Sequence, residues 1–134
     1  MPLKTHIDQA TDWCRLAQTW LISNELAQRL VEMTRRLPFG LWIYSGYRSP
    51  EDQQQLVNDP EKTAAAVDLS THTTCPATGA DITPDVEATR AIKAEMGAVA
   101  IQVGLRWGGG APVDDVGIPV GAEWHHVDLG PRRN

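Results

Sequence analysis

Apolar residues return every three or four positions from Leu26 through Leu30 and Met33 to Leu37, the repeat of a helix with one buried face. Ser23 or Asn24 stands at its start as a candidate cap, and Pro38 ends it by pushing the preceding residue out of helical backbone. Asp12 to Trp20 predicts a shorter helix before it. Phe39 to Tyr44 has a different texture, a run of aromatic and branched residues that predicts a buried strand, turned by Ser45-Gly46. Ser49-Pro50-Glu51 predicts a third helix, with Ser49 as cap and Pro50 at the first position, where its fixed φ is already helical. Asn58-Asp59-Pro60 stops it.

Glu61 to Ala80 loses this periodicity, and its density of Thr, Ala and Pro predicts loop with at most one helical turn. Thr83-Pro84-Asp85 repeats the cap-then-proline signal, so an Ala-rich helix is expected from there to about Val103. Leu105-Arg106-Trp107 predicts a short strand ending at Gly108-Gly109-Gly110. Ala111 to Gly121 is a Pro-, Gly- and Asp-built loop, and Glu123 to Leu129 alternates as a terminal strand. The order implies one α+β domain over residues 1–134, a small central antiparallel sheet flanked by helices.

Composition narrows the function. The chain has 134 residues, 42% hydrophobic, with no apolar run long enough to cross a membrane. A net charge of −5 argues against nucleic acid as a partner, and Arg132-Arg133 is too short a basic patch to alter that. Cys14 and Cys75 allow one disulfide at most, and reduced thiols are the simpler expectation. Met1 to Thr11 has no apolar stretch of the secretory kind, so synthesis in the cytoplasm and release by another route are expected.

Three of the four histidines fall in two polar clusters. The first is Ser70-Thr71-His72, with Asp81 downstream in Gly79-Ala80-Asp81, and the second is Glu123-Trp124-His125-His126. Two imidazoles and a carboxylate form a three-ligand set that leaves a fourth tetrahedral position open, as catalytic zinc requires. Zinc brings the pKa of water toward neutrality, and a nearby carboxylate can then take the proton. Polar surface histidines would produce the same composition, so the clusters alone do not decide for a metal.

Ser45-Gly46-Tyr47-Arg48-Ser49, then Ser70-Thr71-His72 with Asp81-Ile82, then Glu123-Trp124-His125-His126 resembles the D-alanyl-D-alanine carboxypeptidase and L-alanyl-D-glutamate endopeptidase family of zinc peptidases. That family includes vancomycin-resistance dipeptidases and phage endolysins and shares its fold with the Hedgehog signalling domain. The resemblance covers about Phe39 to Leu129, with the motifs in the family's order. It implies His72, Asp81 and His126 as zinc ligands, Glu123 as general base, and Ser70 as a holder of substrate peptide. Arg48 is implied to bind substrate and stabilise the oxyanion from a solvated cleft, a role that suits a planar, permanently charged fork. Eight residues, Thr73–Ala80, separate His72 from Asp81, two more than the family's usual spacing, and His125 stands where Trp or Pro is usual. Strand alternation puts His125 and His126 on opposite faces, and the family register selects His126.

The implied activity is hydrolysis of bacterial cell-wall stem peptides by a monomer, an endolysin of a phage or prophage. Two alternatives remain: a D,D-carboxypeptidase or dipeptidase of cell-wall metabolism, and a silent binding module on the same fold. A structural phage component with incidental histidines is the plainest option. Elsewhere, Asp68 and Asp128 are candidate acceptors for ligand imidazoles, against plain surface carboxylates. Cys75 reads as an ordinary thiol rather than a ligand, and His6 as surface. Trp42, Trp107 and Trp124 read as core or cleft wall. Gly108-Gly109-Gly110 lacks the Lys-Ser/Thr and the helix start that a phosphate-binding loop needs.

Overall fold

Ser23, Ser49 and Thr89 each end an extended stretch and turn their side-chain oxygen back onto the first free amides of a helix, accepting from Leu26, Asp52 and Ile92. They open α2 (Asn24–Arg36), α3 (Pro50–Asn58) and α4 (Arg90–Gln102), and Asp12 does the same for α1 (Trp13–Trp20). The computed structural model describes residues 4–60, 66–67, 69–120 and 124–130. The strands are β1 (Thr5–Ile7), β2 (Leu41–Ser45), β3 (Gly79–Pro84), β4 (Arg106–Trp107) and β5 (His126–Asp128). They form one five-stranded antiparallel sheet in the order β1-β2-β3-β5-β4. Among the described residues the fold is therefore α+β, four α-helices and an antiparallel sheet.

Register divides the sheet into two chemically distinct faces, because successive side chains point to opposite sides. Leu41 pairs with Pro84, Ile43 with Ile82, Ala80 with Val127, and Trp107 with Val127. These residues face the helices, where they join Leu26, Leu30, Met33 and Met96 in the buried core. The alternate residues define the other face: His6 opposite Trp42, Trp42 opposite Thr83, Asp81 opposite His126, and Arg106 opposite Asp128. The core face holds the molecule together, and the polar face gathers histidine, aspartate and arginine side chains.

One expectation is corrected. Thr83-Pro84 does not begin a helix; it ends β3, and α4 starts at Arg90. The Asp85 amide donates to Gly40 O, and its carboxylate accepts from the Gly40 amide and contacts His6, so residues 84–85 are spent on closing the end of the β2–β3 ladder. His6, read as surface, is partly exposed, and it also lies 2.8 Å from Asp85 and edge-on to Trp42, fastening β1 to its neighbour. Among the described residues no helix is long and apolar enough to cross a membrane.

Candidate metal centre

Three donor atoms meet at one end of the polar face. His72 Nε2 lies 3.3 Å from His126 Nδ1, His126 Nδ1 lies 3.2 Å from Asp81 Oδ1, and His72 Nε2 lies 3.4 Å from Asp81 Oδ1. Ligand bonds of about 2.0–2.1 Å at tetrahedral angles separate ligand atoms by about 3.3–3.4 Å, so these atoms form one face of a zinc-sized tetrahedron. All three residues are buried, and together they form a group that can hold a metal ion.

The polypeptide delivers each donor differently. Asp81 and His126 sit opposite one another on β3 and β5. His72 arrives on the turn-rich segment before β3, tied by its own amide to Ser70 Oγ and by its carbonyl to the Arg48 amide. Its Nδ1 donates to Gly46 O at 2.7 Å, which leaves Nε2 as the lone-pair nitrogen of the neutral ring. His126 Nε2 lies 2.8 Å from Asp128 Oδ2 and donates there, leaving Nδ1 as its lone pair. Without a cation or a proton between them, these lone pairs and the Asp81 carboxylate would repel one another.

Two glycines are needed for this approach. A Cβ on Gly46 would collide with Trp20 O and crowd Ile22, so only glycine can bring this carbonyl under His72. A Cβ on Gly79 would strike the Thr71 hydroxyl and stand 3.0 Å from His126 Cε1. The glycines of Ser45-Gly46-Tyr47 and Gly79-Ala80-Asp81 are thus explained by backbone proximity to the donors.

Charge at the site is strongly coupled. Burial alone would raise the Asp81 carboxyl, yet hydrogen bonds and charge from His126 and His72 hold it far below the usual carboxylate range. Burial alone would likewise lower His126, but Asp128 and Asp81 outweigh it and raise the ring to about 9 in the metal-free protein. Asp128 is lowered despite its burial by His126 and Arg106. Beside them, burial and the negative charge of Asp81 push the Tyr44 phenol upward.

Arg48, expected in a solvated cleft, lies beside the donors and is held by neighbouring side chains. Its side chain is 18% exposed, and it donates to Gln53 Oε1 at 2.6 Å, Ser45 Oγ at 3.0 Å and Asp81 Oδ2 at 3.4 Å. Among the described residues its Nε–H and second Nη1–H have no partner, so two of its five donors remain for a ligand. Ser70 is 3% exposed and accepts the His72 amide, which places it beneath a ligand rather than on the open surface. Glu123 and Asp68 lie outside the described residues.

His125 stands apart from the three donors, with Nε2 3.8 Å from Asp81 Oδ1 and its ring tilted against Tyr44 and edge-on to Trp124. It precedes β5 and lies in a turn, so its orientation follows those ring contacts rather than strand alternation. Cys75 and Cys14 are free, exposed thiols. Trp107 is core, while Trp42 and Trp124 are half-buried beneath Lys4 and Lys93. Arg106, which clamps Asp128, carried no motif signal; only its register opposite Asp128 reveals it. No family model matches the chain, and no curated protein matches it.

Proposed function

We propose that the protein is a zinc-dependent peptidase acting on bacterial cell-wall stem peptides, of the phage or prophage endolysin type. The observation that carries the reading is the triangle of donors, His72 Nε2, Asp81 Oδ1 and His126 Nδ1, with edges of 3.2–3.4 Å. Two imidazoles and one carboxylate in a tetrahedral face suit zinc, and three protein ligands with an open side are the pattern of catalytic rather than structural sites. The motif resemblance to the D-alanyl-D-alanine carboxypeptidase and L-alanyl-D-glutamate endopeptidase family supplies the substrate class.

Bound there, zinc would supply Lewis-acid polarisation of the scissile carbonyl and acidify water. Glu123, three residues before His126, takes the proton from the attacking water and hands it to the leaving amine. Arg48 offers its uncommitted N–H groups to the oxyanion while its other donors anchor it to Asp81, Ser45 and Gln53. Ser70 keeps the His72 backbone in place.

Digestion of purified muropeptides, followed by mass spectrometry of the products, tests this reading. Zinc-dependent cleavage within the stem peptide is expected, and the product masses distinguish a carboxypeptidase from an endopeptidase. A zinc-loaded protein that binds muropeptides without cutting them would favour the silent binding module instead.

A further inference from the structure

Asp128 is 0% exposed, and all the acceptor capacity of its carboxylate is used. Oδ1 accepts from Arg106 Nε at 2.9 Å and from the Gly130 amide at 2.7 Å. Oδ2 accepts from Arg106 Nη2 at 3.1 Å and from His126 Nε2 at 2.8 Å. Thr71 Oγ1 also approaches that imidazole nitrogen, at 3.3 Å, but Asp128 is the nearer and charged partner. The arginine meets the carboxylate with two parallel bonds, the geometry in which a guanidinium fixes orientation as well as charge.

The local chain is built around that clamp. The two-residue strand β4 places Arg106 opposite Asp128, and two glycines with left-handed backbone flank the arginine stem. Gly110 has φ +82, and a Cβ there would stand 3.2 Å from Arg106 Cδ. Gly130 has φ +59 and gives its amide to Asp128 Oδ1. Gly110, the last of the Gly108-Gly109-Gly110 run, thus makes room for Arg106.

We infer that Asp128 and Arg106 are positioning residues of the metal centre: Arg106 clamps Asp128, and Asp128 holds His126 with Nε2 protonated and Nδ1 turned toward the metal. The inference rests on the metal reading proposed above. A ligand imidazole presents the right nitrogen only while its other nitrogen is held by an acceptor, and the partner carboxylate strengthens the ring as a donor. Asparagine at 128 can present its NH₂ to Nε2 instead, which would move the ring proton to Nδ1 and block the metal.

The test uses full-length protein stripped with a chelator and titrated with Zn²⁺ against a competing chromophoric chelator, then with Co²⁺ for its visible spectrum. Asp128→Asn is expected to weaken Zn²⁺ binding by about 10–100-fold, the usual cost of losing an outer partner of a ligand histidine. Arg106→Lys is expected to weaken it less, since an ammonium cannot make both bonds. In both variants the rise in Tm on adding Zn²⁺ should shrink and the Co²⁺ bands should change. If the pair were merely structural, Tm of the stripped protein would fall while Zn²⁺ affinity and the Co²⁺ spectrum stayed at wild-type values, and that result overturns the inference. Should Asp128→Asn not fold, Arg106→Lys decides by the same criterion. Wild-type protein that binds neither ion would defeat the metal reading itself, a result distinct from wild-type and variants binding alike.

Discussion

Asp81 shows Arg48 one carboxylate oxygen and keeps the other for the imidazoles: Oδ2 lies 3.4 Å from Arg48 Nη2, while Oδ1 lies 3.2 Å from His126 Nδ1. A carboxylate shared in this way would present a single oxygen, Oδ1, to a metal, with Oδ2 turned to the guanidinium. Arg48 therefore influences the site through Asp81 as well as through any ligand it touches.

Arg48→Lys should lower kcat by about 10²–10³-fold, the range for losing one oxyanion donor. The loss should fall mainly on kcat, because the charge it meets develops in the transition state. Zinc affinity should also weaken, since a lysine ammonium cannot serve Gln53, Ser45 and Asp81 from one plane. Steady-state kinetics and zinc titration on the same preparation check both. Normal turnover with lowered stability would reduce Arg48 to an ion-pair partner.

The adjacent histidines separate cleanly by geometry. His126 Nδ1 belongs to the donor triangle, whereas His125 is 29% exposed in its side chain and packs between aromatic rings. His126→Ala should lose zinc, and His125→Ala should retain about one ion per chain by elemental analysis. The reverse outcome would assign the third ligand to His125.

Glu123→Ala should keep zinc and fold while turnover drops by about 10²–10⁴-fold, the contribution of a positioned base. Muropeptide turnover close to wild type in that variant would exclude Glu123 from proton transfer.

Stability of the stripped protein should depend on pH in two opposed ways. His126 is raised from 6.5 to about 9, so its protonated form adds stability that is complete below about pH 6.5 and lost as pH climbs through about 9. Asp81 and Asp128 are lowered from 3.8, so their contribution is present above that value and disappears on strong acidification. Zinc competes with the His126 proton, so zinc should bind more tightly as pH rises over the same alkaline interval. Melting curves of stripped protein and zinc titrations across that range check the pair; a flat Tm between pH 6.5 and 9 would contradict the raised imidazole.

Local chemistry made the helices α1, α2 and α3 legible, because a cap, a proline and an apolar stripe act within a few residues: Ser23, Ser49 and Pro50 stand where the sequence placed them. β3 was hidden, since Gly79-Ala80-Asp81-Ile82-Thr83-Pro84 has few branched residues and ends in a proline that mimics a helix start. Its strand character comes from pairing with β2 and β5, which no short window reveals. β1 has only Thr5, His6 and Ile7 to announce it. At the site, the motifs singled out the residues that the fold gathers at the donor triangle, His72, Asp81 and His126. The partners that orient them, Gly46 O and the Arg106 fork, were invisible because one is a backbone carbonyl and the other is set by strand register.

Asp81 and His126 belong to the inner strands, whereas His72 is carried by a turn-rich segment tied to Gly46, Ser70 and Arg48. Ladder amides in the middle of a sheet exchange with solvent only in large openings, while turns open in smaller and more frequent ones. A metal held by His72, Asp81 and His126 would therefore join a turn segment to two paired inner strands. If turns open more readily than inner strands, a substitution in the His72 segment should speed metal exchange without loosening the sheet beneath it.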